Sequence, residues 1–147
     1  MKHTNAMSFV LGIIFLAAAI TASAGDHVTP VAPQDYLAME SPIDMDDVDD
    51  VFLKKNYRVY KSKCSKCHGA EGDGEGSASE DIVIKPTAFD VDGYFEEKSD
   101  GQLYWIIEQG SEGTEMEAYG PESDAGFSEE KIWGLVAYIR ASFGEEE

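Results

Sequence analysis

The chain has two cysteines, spaced three apart, with a histidine directly behind the second: Cys64-Ser65-Lys66-Cys67-His68. That spacing is the pattern of a c-type haem attachment site. Cysteines at i and i+3 share one side of a helical turn, so both thiols can reach the two vinyl groups of one haem. The next residue then sits under the ring, and His68 offers its imidazole to the iron. Three other readings compete. A structural zinc site needs four ligands, usually Cys and His, and only Cys64, Cys67, His68 and His27 could serve. A thioredoxin-like pair calls for a βαβ context that the flanks do not show. The last is a chance match.

Charge narrows the partners. With 29 acidic and 11 basic side chains the formal net charge is -18, so nucleic-acid phosphates would be repelled. Six of the basic residues nevertheless fall between Lys54 and Lys66: Lys54, Lys55, Arg58, Lys61, Lys63 and Lys66. A basic face beside the attachment site on an acidic body could orient the protein on a redox partner; the plainer reading is a solvated helix face. Hydrophobic residues make up 43% of the chain. That allows one modest core, to which a buried haem would add a large apolar plate.

Residues 1–24 read as an export signal. Lys2 is the basic n-region, Phe9 to Ile20 is an apolar run, and Ala22-Ser23-Ala24 fits a cleavage site. The run is shorter than the ~20 residues a membrane helix needs, so cleavage is expected, with no membrane span in the mature chain. An uncleaved anchor is the alternative. Export suits the motif, since haem attachment of this kind takes place outside the cytoplasm and an idle cysteine pair there would oxidise to a disulfide. Periplasmic localisation is the expectation.

Residues 25–46 hold Pro30, Pro33 and Pro42 and read as an extended arm, with Tyr36, Leu37 and Met39 able to dock. The domain proper is 47–147. Its first helix is expected from about Asp46 to the haem site, with Phe52, Asn56, Tyr60 and Cys64 in one stripe. Gly72, Gly74 and Gly76 then make a tightly turning loop. Ile82-Val83-Ile84 is expected to pack on the haem. Ser99 and Gln102 form a capping box for a second helix ending at Gly110. Ser128 caps a third, whose Ile132, Leu135, Val136, Ile139 and Phe143 mark the clearest amphipathic face. The fold class expected is all-α: three main helices and loops wrapped around one covalently bound haem c.

His68 leaves the opposite iron position open. Downstream of it the sequence contains a single methionine, Met116, and no histidine. A loop thioether from Met116 would fill that position, raise the reduction potential relative to bis-histidine ligation and block small oxidants. Met39 and Met45 are rivals. A metal-bound histidine donates its far N–H to a carbonyl, for which Pro86 is the candidate, against an ordinary loop proline. Tyr94, Trp105 and Tyr119 could hydrogen-bond haem propionates, though core or rim packing is the commoner role for such rings.

With these parts in order, the sequence resembles a class I c-type cytochrome, exported and monohaem, over about Asp47 to Phe143. The resemblance rests on the helix leading into Cys64-Ser65-Lys66-Cys67-His68, the proline in Lys85-Pro86-Thr87-Ala88-Phe89, the loop methionine in Gly113-Thr114-Glu115-Met116, and the last helix with Leu135-Val136-Ala137-Tyr138. It implies that the first and last helices cross, with Tyr60 facing Leu135 and Tyr138. Two positions depart from the family. Asn56 stands where a small residue is usual, and Glu115-Met116-Glu117 replaces the commoner Met-Pro loop. The two carboxylates would lower the potential somewhat.

The expected function is one-electron transfer between periplasmic or membrane redox partners, with no catalytic residue and no enzyme activity. The alternatives are a dedicated haem subunit of a larger redox enzyme or respiratory complex, and a gas- or peroxide-binding haem protein in which Met116 is off the iron.

Overall fold

The computed structural model describes residues 29–144. The expected signal at 1–24 lies outside the described residues. Five α-helices follow in order: α1 (Gln34–Leu37), α2 (Asp50–Lys63), α3 (Ser65–His68), α4 (Asp100–Gln109) and α5 (Glu129–Phe143). Single 3-10 turns lie at Met45–Asp47 and Ser79–Asp81, and the described residues contain no strand. The architecture is all-α, as the periodicities predict. Among the described residues no helix is long and apolar enough to cross a membrane.

α2 starts four residues later than the crowd of aspartates suggests. Asp44 Oδ1 accepts the Asp46 N–H at 3.0 Å and holds Asp46 and Asp47 in the 3-10 turn. Asp49 Oδ1 then accepts the Phe52 N–H at 2.8 Å and is the true N-cap. Competing short-range caps divided the acidic run, and each satisfies an orphan donor at a helix start. α5 begins as expected, with Ser128 Oγ accepting from the Lys131 N–H at 3.3 Å.

α2 and α5 cross at Asn56 and Gly134. Asn56 is 2% exposed, and a Cβ built on Gly134 would come within 2.6 Å of its Oδ1. The small residue that lets the backbones approach is therefore on α5, which is how Asn56 is accommodated on α2. The Asn56 amide is satisfied within its own helix, donating to the Phe52 carbonyl at 3.1 Å. One turn further on, Tyr60 is fully buried, its ring 5.4 Å from Tyr138, and its hydroxyl donates to the Gly69 carbonyl at 2.8 Å. Tyr60 thus joins the crossing to the end of the haem-motif turn. Ile132, Leu135, Val136 and Ile139 complete this core. Burying each such side chain stabilises the fold by about 1.5–3 kcal/mol.

The capping box at α4 forms only in half. Ser99 Oγ accepts the Gln102 N–H at 3.1 Å, but the Gln102 side chain turns away from Ser99. It is buried, accepts from the Ala32 N–H at 2.8 Å and donates to the Pro30 carbonyl at 3.1 Å. The described part of the arm is thereby fastened along α4. Tyr36 reinforces the seam, its hydroxyl donating to Glu108 Oε2 at 2.6 Å and its ring lying 6.3 Å from Tyr104. Within the arm expected to be extended, 34–37 closes one helical turn, and Tyr36, Met39 and Ile43 pack on the core. Arg140 ties α5 to the start of α4. It pairs with Asp100 and donates to the carbonyls of Phe95 at 3.2 Å and Lys98 at 2.5 Å.

Candidate haem cavity

The α2 ladder runs into the cysteine motif. The N–H groups of Cys67 and His68 both donate to the Cys64 carbonyl, at 3.0 and 2.9 Å, so the motif closes as the short helix α3. Its last carbonyls need donors. The glycine loop supplies them at every second residue: Gly74 N–H to His68, Gly76 N–H to Cys67 and Ala78 N–H to Lys66, at 2.9, 3.1 and 2.9 Å. The loop passes so close that a Cβ on Gly76 would lie 2.3 Å from the Lys66 carbonyl oxygen. The alternating glycines are the requirement of this close strap, a role that reading them as a turning loop did not capture.

Cys64, Cys67, His68, Pro86 and Met116 all line one cavity. Its open space is about 1270 Å³, mouth included, with walls from Leu103, Leu135 and Ile139 and from Ile82 and Ile84. Val83 between the last two is 81% exposed, so that short run alternates between cavity and solvent. Lys63, Lys98, Glu115 and Glu117 also line the cavity.

His68 is held in one tautomer. Its Nδ1 lies 3.0 Å from the Thr87 carbonyl oxygen, which can only accept, so Nδ1 carries the proton and Nε2 keeps its lone pair. Phe89 stacks on the ring at 4.7 Å and 15°. Burial pushes the imidazole pKa down while the Thr87 bond opposes it, leaving a neutral ligand-type imidazole at pH 7. The partner carbonyl is Thr87's, one residue beyond Pro86. The Pro86 carbonyl is turned toward the glycine loop instead, 2.7 Å from where a Cβ on Gly74 would stand. Burial pushes the Cys64 thiol up to about 12, with Cys67 adding to the shift. No disulfide joins the two cysteines. Among the described residues no three His, Cys, Asp or Glu side chains gather as a metal cluster.

Met116, also in the cavity lining, is fixed through its backbone. Its N–H donates to Thr114 Oγ1 at 3.0 Å and its carbonyl accepts from the Ser111 N–H at 2.9 Å. Thr114 Oγ1 in turn donates to the Ser111 carbonyl at 2.7 Å. Met39 instead packs on the core and Met45 is 46% exposed. Tyr94 and Tyr119 line the cavity, whereas Trp105 does not. The Tyr119 hydroxyl is already committed, donating to the Lys63 carbonyl at 3.0 Å. That bond ties the Met116 loop to the end of α2. The roles of Thr87, Phe89 and Gly134 escaped the sequence reading, as did the bond from Tyr119 to the Lys63 carbonyl. Only the stride of the glycines could have hinted at the close strap.

A helical fold closed around a slot with two thiols, a neutral imidazole and a thioether defines a class I c-type cytochrome. The family described as cytochrome c oxidase, cbb3-type, subunit III matches residues 53–139, and the chain belongs to it. Membership implies a covalently bound haem c and a haem electron-carrying role. The donors lining the slot suit that group.

Among solved structures the chain is similar to a reducing HAO-like protein complex of Kuenenia stuttgartiensis, at 24% identity and a TM-score of 0.53, covering 67% of this chain and 48% of that one. It thus spans about half the length of that relative, and the likeness is one of fold. The c-type cytochrome KustC0563 follows at 19% identity and a TM-score of 0.47, with 58% of this chain and 94% of that one covered. Cytochrome CL of the marine methylotroph Methylophaga aminisulfidivorans is similar at 20% and 0.47, with 65% and 58% covered. A comparison with curated proteins finds no match.

Proposed function

We propose that this protein carries one electron at a time between redox proteins in the periplasm, with a single haem bound through Cys64 and Cys67 and ligated by His68 and Met116. The observation that carries the reading is that Cys64, Cys67, His68 and Met116 all line one apolar slot, with the His68 proton held on Nδ1 by Thr87. When bound, the haem supplies a ferric/ferrous couple. The chain supplies the rest. Thr87 holds the proton on His68 Nδ1, and Phe89 restricts the ring's rotation. Thr114 and Ser111 hold the Met116 backbone facing the slot. Pro86 forms wall rather than a hydrogen-bond partner. Two protein ligands in both oxidation states would keep rearrangement small and exclude substrates, so the protein acts as a carrier and not as an enzyme. In this reading 1–24 is the export signal, 25–46 an arm and 47–147 the carrier domain.

The oxidised holoprotein tests the ligation. A thioether-to-iron charge-transfer band in the far red, abolished in Met116→Ala, is the expected result. A high-spin spectrum of the wild type would overturn it in favour of an open, gas- or peroxide-binding iron.

A second reading, a dedicated subunit of a larger redox assembly, draws on the family's description as an oxidase subunit and on the Kuenenia neighbour's occurrence in a complex. Gel filtration of the native protein separates the two. Co-elution with a second polypeptide supports the subunit, and elution at the size of the free chain supports the shuttle.

A further inference from the structure

The outward side of α2 is cationic on a molecule of charge -18. Lys54, Arg58 and Lys61 follow a spacing of four and three residues, which stacks them on one helix face. That face lies opposite the buried Asn56 and Tyr60. All three are exposed, and two apolar residues are exposed beside them: Val51 at 75% and Tyr57 at 39%. The carboxylates among the described residues form no ion pair with the stripe. Among the described residues, the ion pairs are Lys55–Glu130 at 3.7 Å, on the flank, and Arg140–Asp100 elsewhere. Lys61 instead lies over the Tyr57 ring, 5.8 Å from its centroid.

A second observation connects this face with the cavity. The Tyr57 ring is 6.4 Å from Tyr138, and Tyr138 is 5.4 Å from Tyr60, which lines the haem cavity. The surface tyrosine is thus separated from the cavity wall by two ring contacts of close-packed protein. Electron tunnelling favours such a medium over one broken by gaps. The rings themselves need not change oxidation state.

We propose that the Lys54–Arg58–Lys61 face around Tyr57 is a docking surface for an acidic redox protein, from which an electron reaches the haem through the α2–α5 packing. Opposite charge across a contact speeds encounter and orients it. At physiological salt the Debye length is about 8 Å, so the stripe governs the approach of a partner patch despite the acidic bulk. A protein surface fits better than an anionic membrane. The same helix starts among the exposed Asp46, Asp47, Asp49 and Asp50, which a flat anionic lipid plane would meet together with the stripe. The inference rests on the electron-carrying role and not on which residue is the sixth ligand.

The test uses ferric holoprotein and reduced flavodoxin, an acidic flavoprotein. Its anionic flavin hydroquinone gives one electron to the ferric haem and becomes the neutral semiquinone. The variant K54Q/R58Q/K61Q removes three positive charges. The control Q34E/A38E/V91E adds three negative charges on the arm and the 90s loop, matching the change in net charge. At low ionic strength, stopped-flow reduction of the glutamine variant should slow about 10-fold, and that of the control by less than about 2-fold. The difference should close at 1 M salt, where screening falls to about 3 Å. Equal slowing of both variants, or of neither, overturns the docking face. Wild-type sedimentation with phosphatidylserine vesicles, lost in the glutamine variant, overturns it in favour of a membrane. Dithionite should reduce all three proteins alike; failure there would strike at the carrier role itself and not at the surface.

Discussion

Gly134→Ala places a methyl group where the structure has no room. The added Cβ would lie 2.6 Å from Asn56 Oδ1 and 3.3 Å from its Cγ. A flexible side-chain tip could retreat cheaply, but this one cannot: Asn56 is 2% exposed and tied to the Phe52 carbonyl. Either that bond breaks or the α2–α5 crossing opens. Overpacking of this kind costs about 1–3 kcal/mol. Replacing a mid-helix glycine offsets about 0.5–1 kcal/mol of it. The net expectation is a loss of roughly 1–2 kcal/mol, about 4–8 °C in Tm per kcal/mol for a domain of this size. The assay is urea unfolding of holoprotein by far-UV circular dichroism, run as a double-mutant cycle with Asn56→Ala. In the Asn56→Ala background the clash is gone, and the same glycine substitution should stabilise by about 0.5–1 kcal/mol, its helix-propensity gain. An equal cost in both backgrounds would refute the contact as the reason for Gly134.

Gln102→Ala should loosen the arm. It removes the bonds to Pro30 and Ala32 and strands a buried N–H, at about 1–3 kcal/mol; faster proteolysis within 30–44, with an unaltered haem spectrum, is the expected readout, and an unchanged cleavage rate would refute the clamp. Burial pushes the Tyr94 phenol from 10.0 up to about 12. The stability it contributes is therefore intact below pH 10 and falls as pH rises from 10 toward 12, with a slope of at most about 1.4 kcal/mol per pH unit. Tyr94→Phe should flatten that part of a stability-against-pH curve, and a curve identical to wild type would refute the assignment.

The haem motif was legible because covalent chemistry requires it: two thiols three apart and an adjacent imidazole serve one purpose in very few ways. The helix stripes and the caps at Ser99 and Ser128 were legible because they depend on residues within one turn. The start of α2 was not, since Asp44, Asp46, Asp47 and Asp49 offer several local caps and the tertiary fit selects among them. Gln102 looked like half of a capping box, and only the arm lying across α4 showed that its amide serves Pro30 and Ala32. Thr87 could not be picked out either, because a backbone carbonyl leaves no mark in the residue type.

By itself, then, the sequence determined the class of protein, its helical character and the residues able to anchor a haem. Tertiary structure decided where the small residue at the helix crossing lies, which carbonyl holds the proton on His68, how the Met116 loop is pinned and that, among the described residues, Lys54, Arg58 and Lys61 enter no ion pair. The division has one physical cause. Covalent attachment, helical periodicity and capping act over a few residues, whereas close approach, desolvation and hydrogen-bond pairing depend on what the fold brings from many residues away.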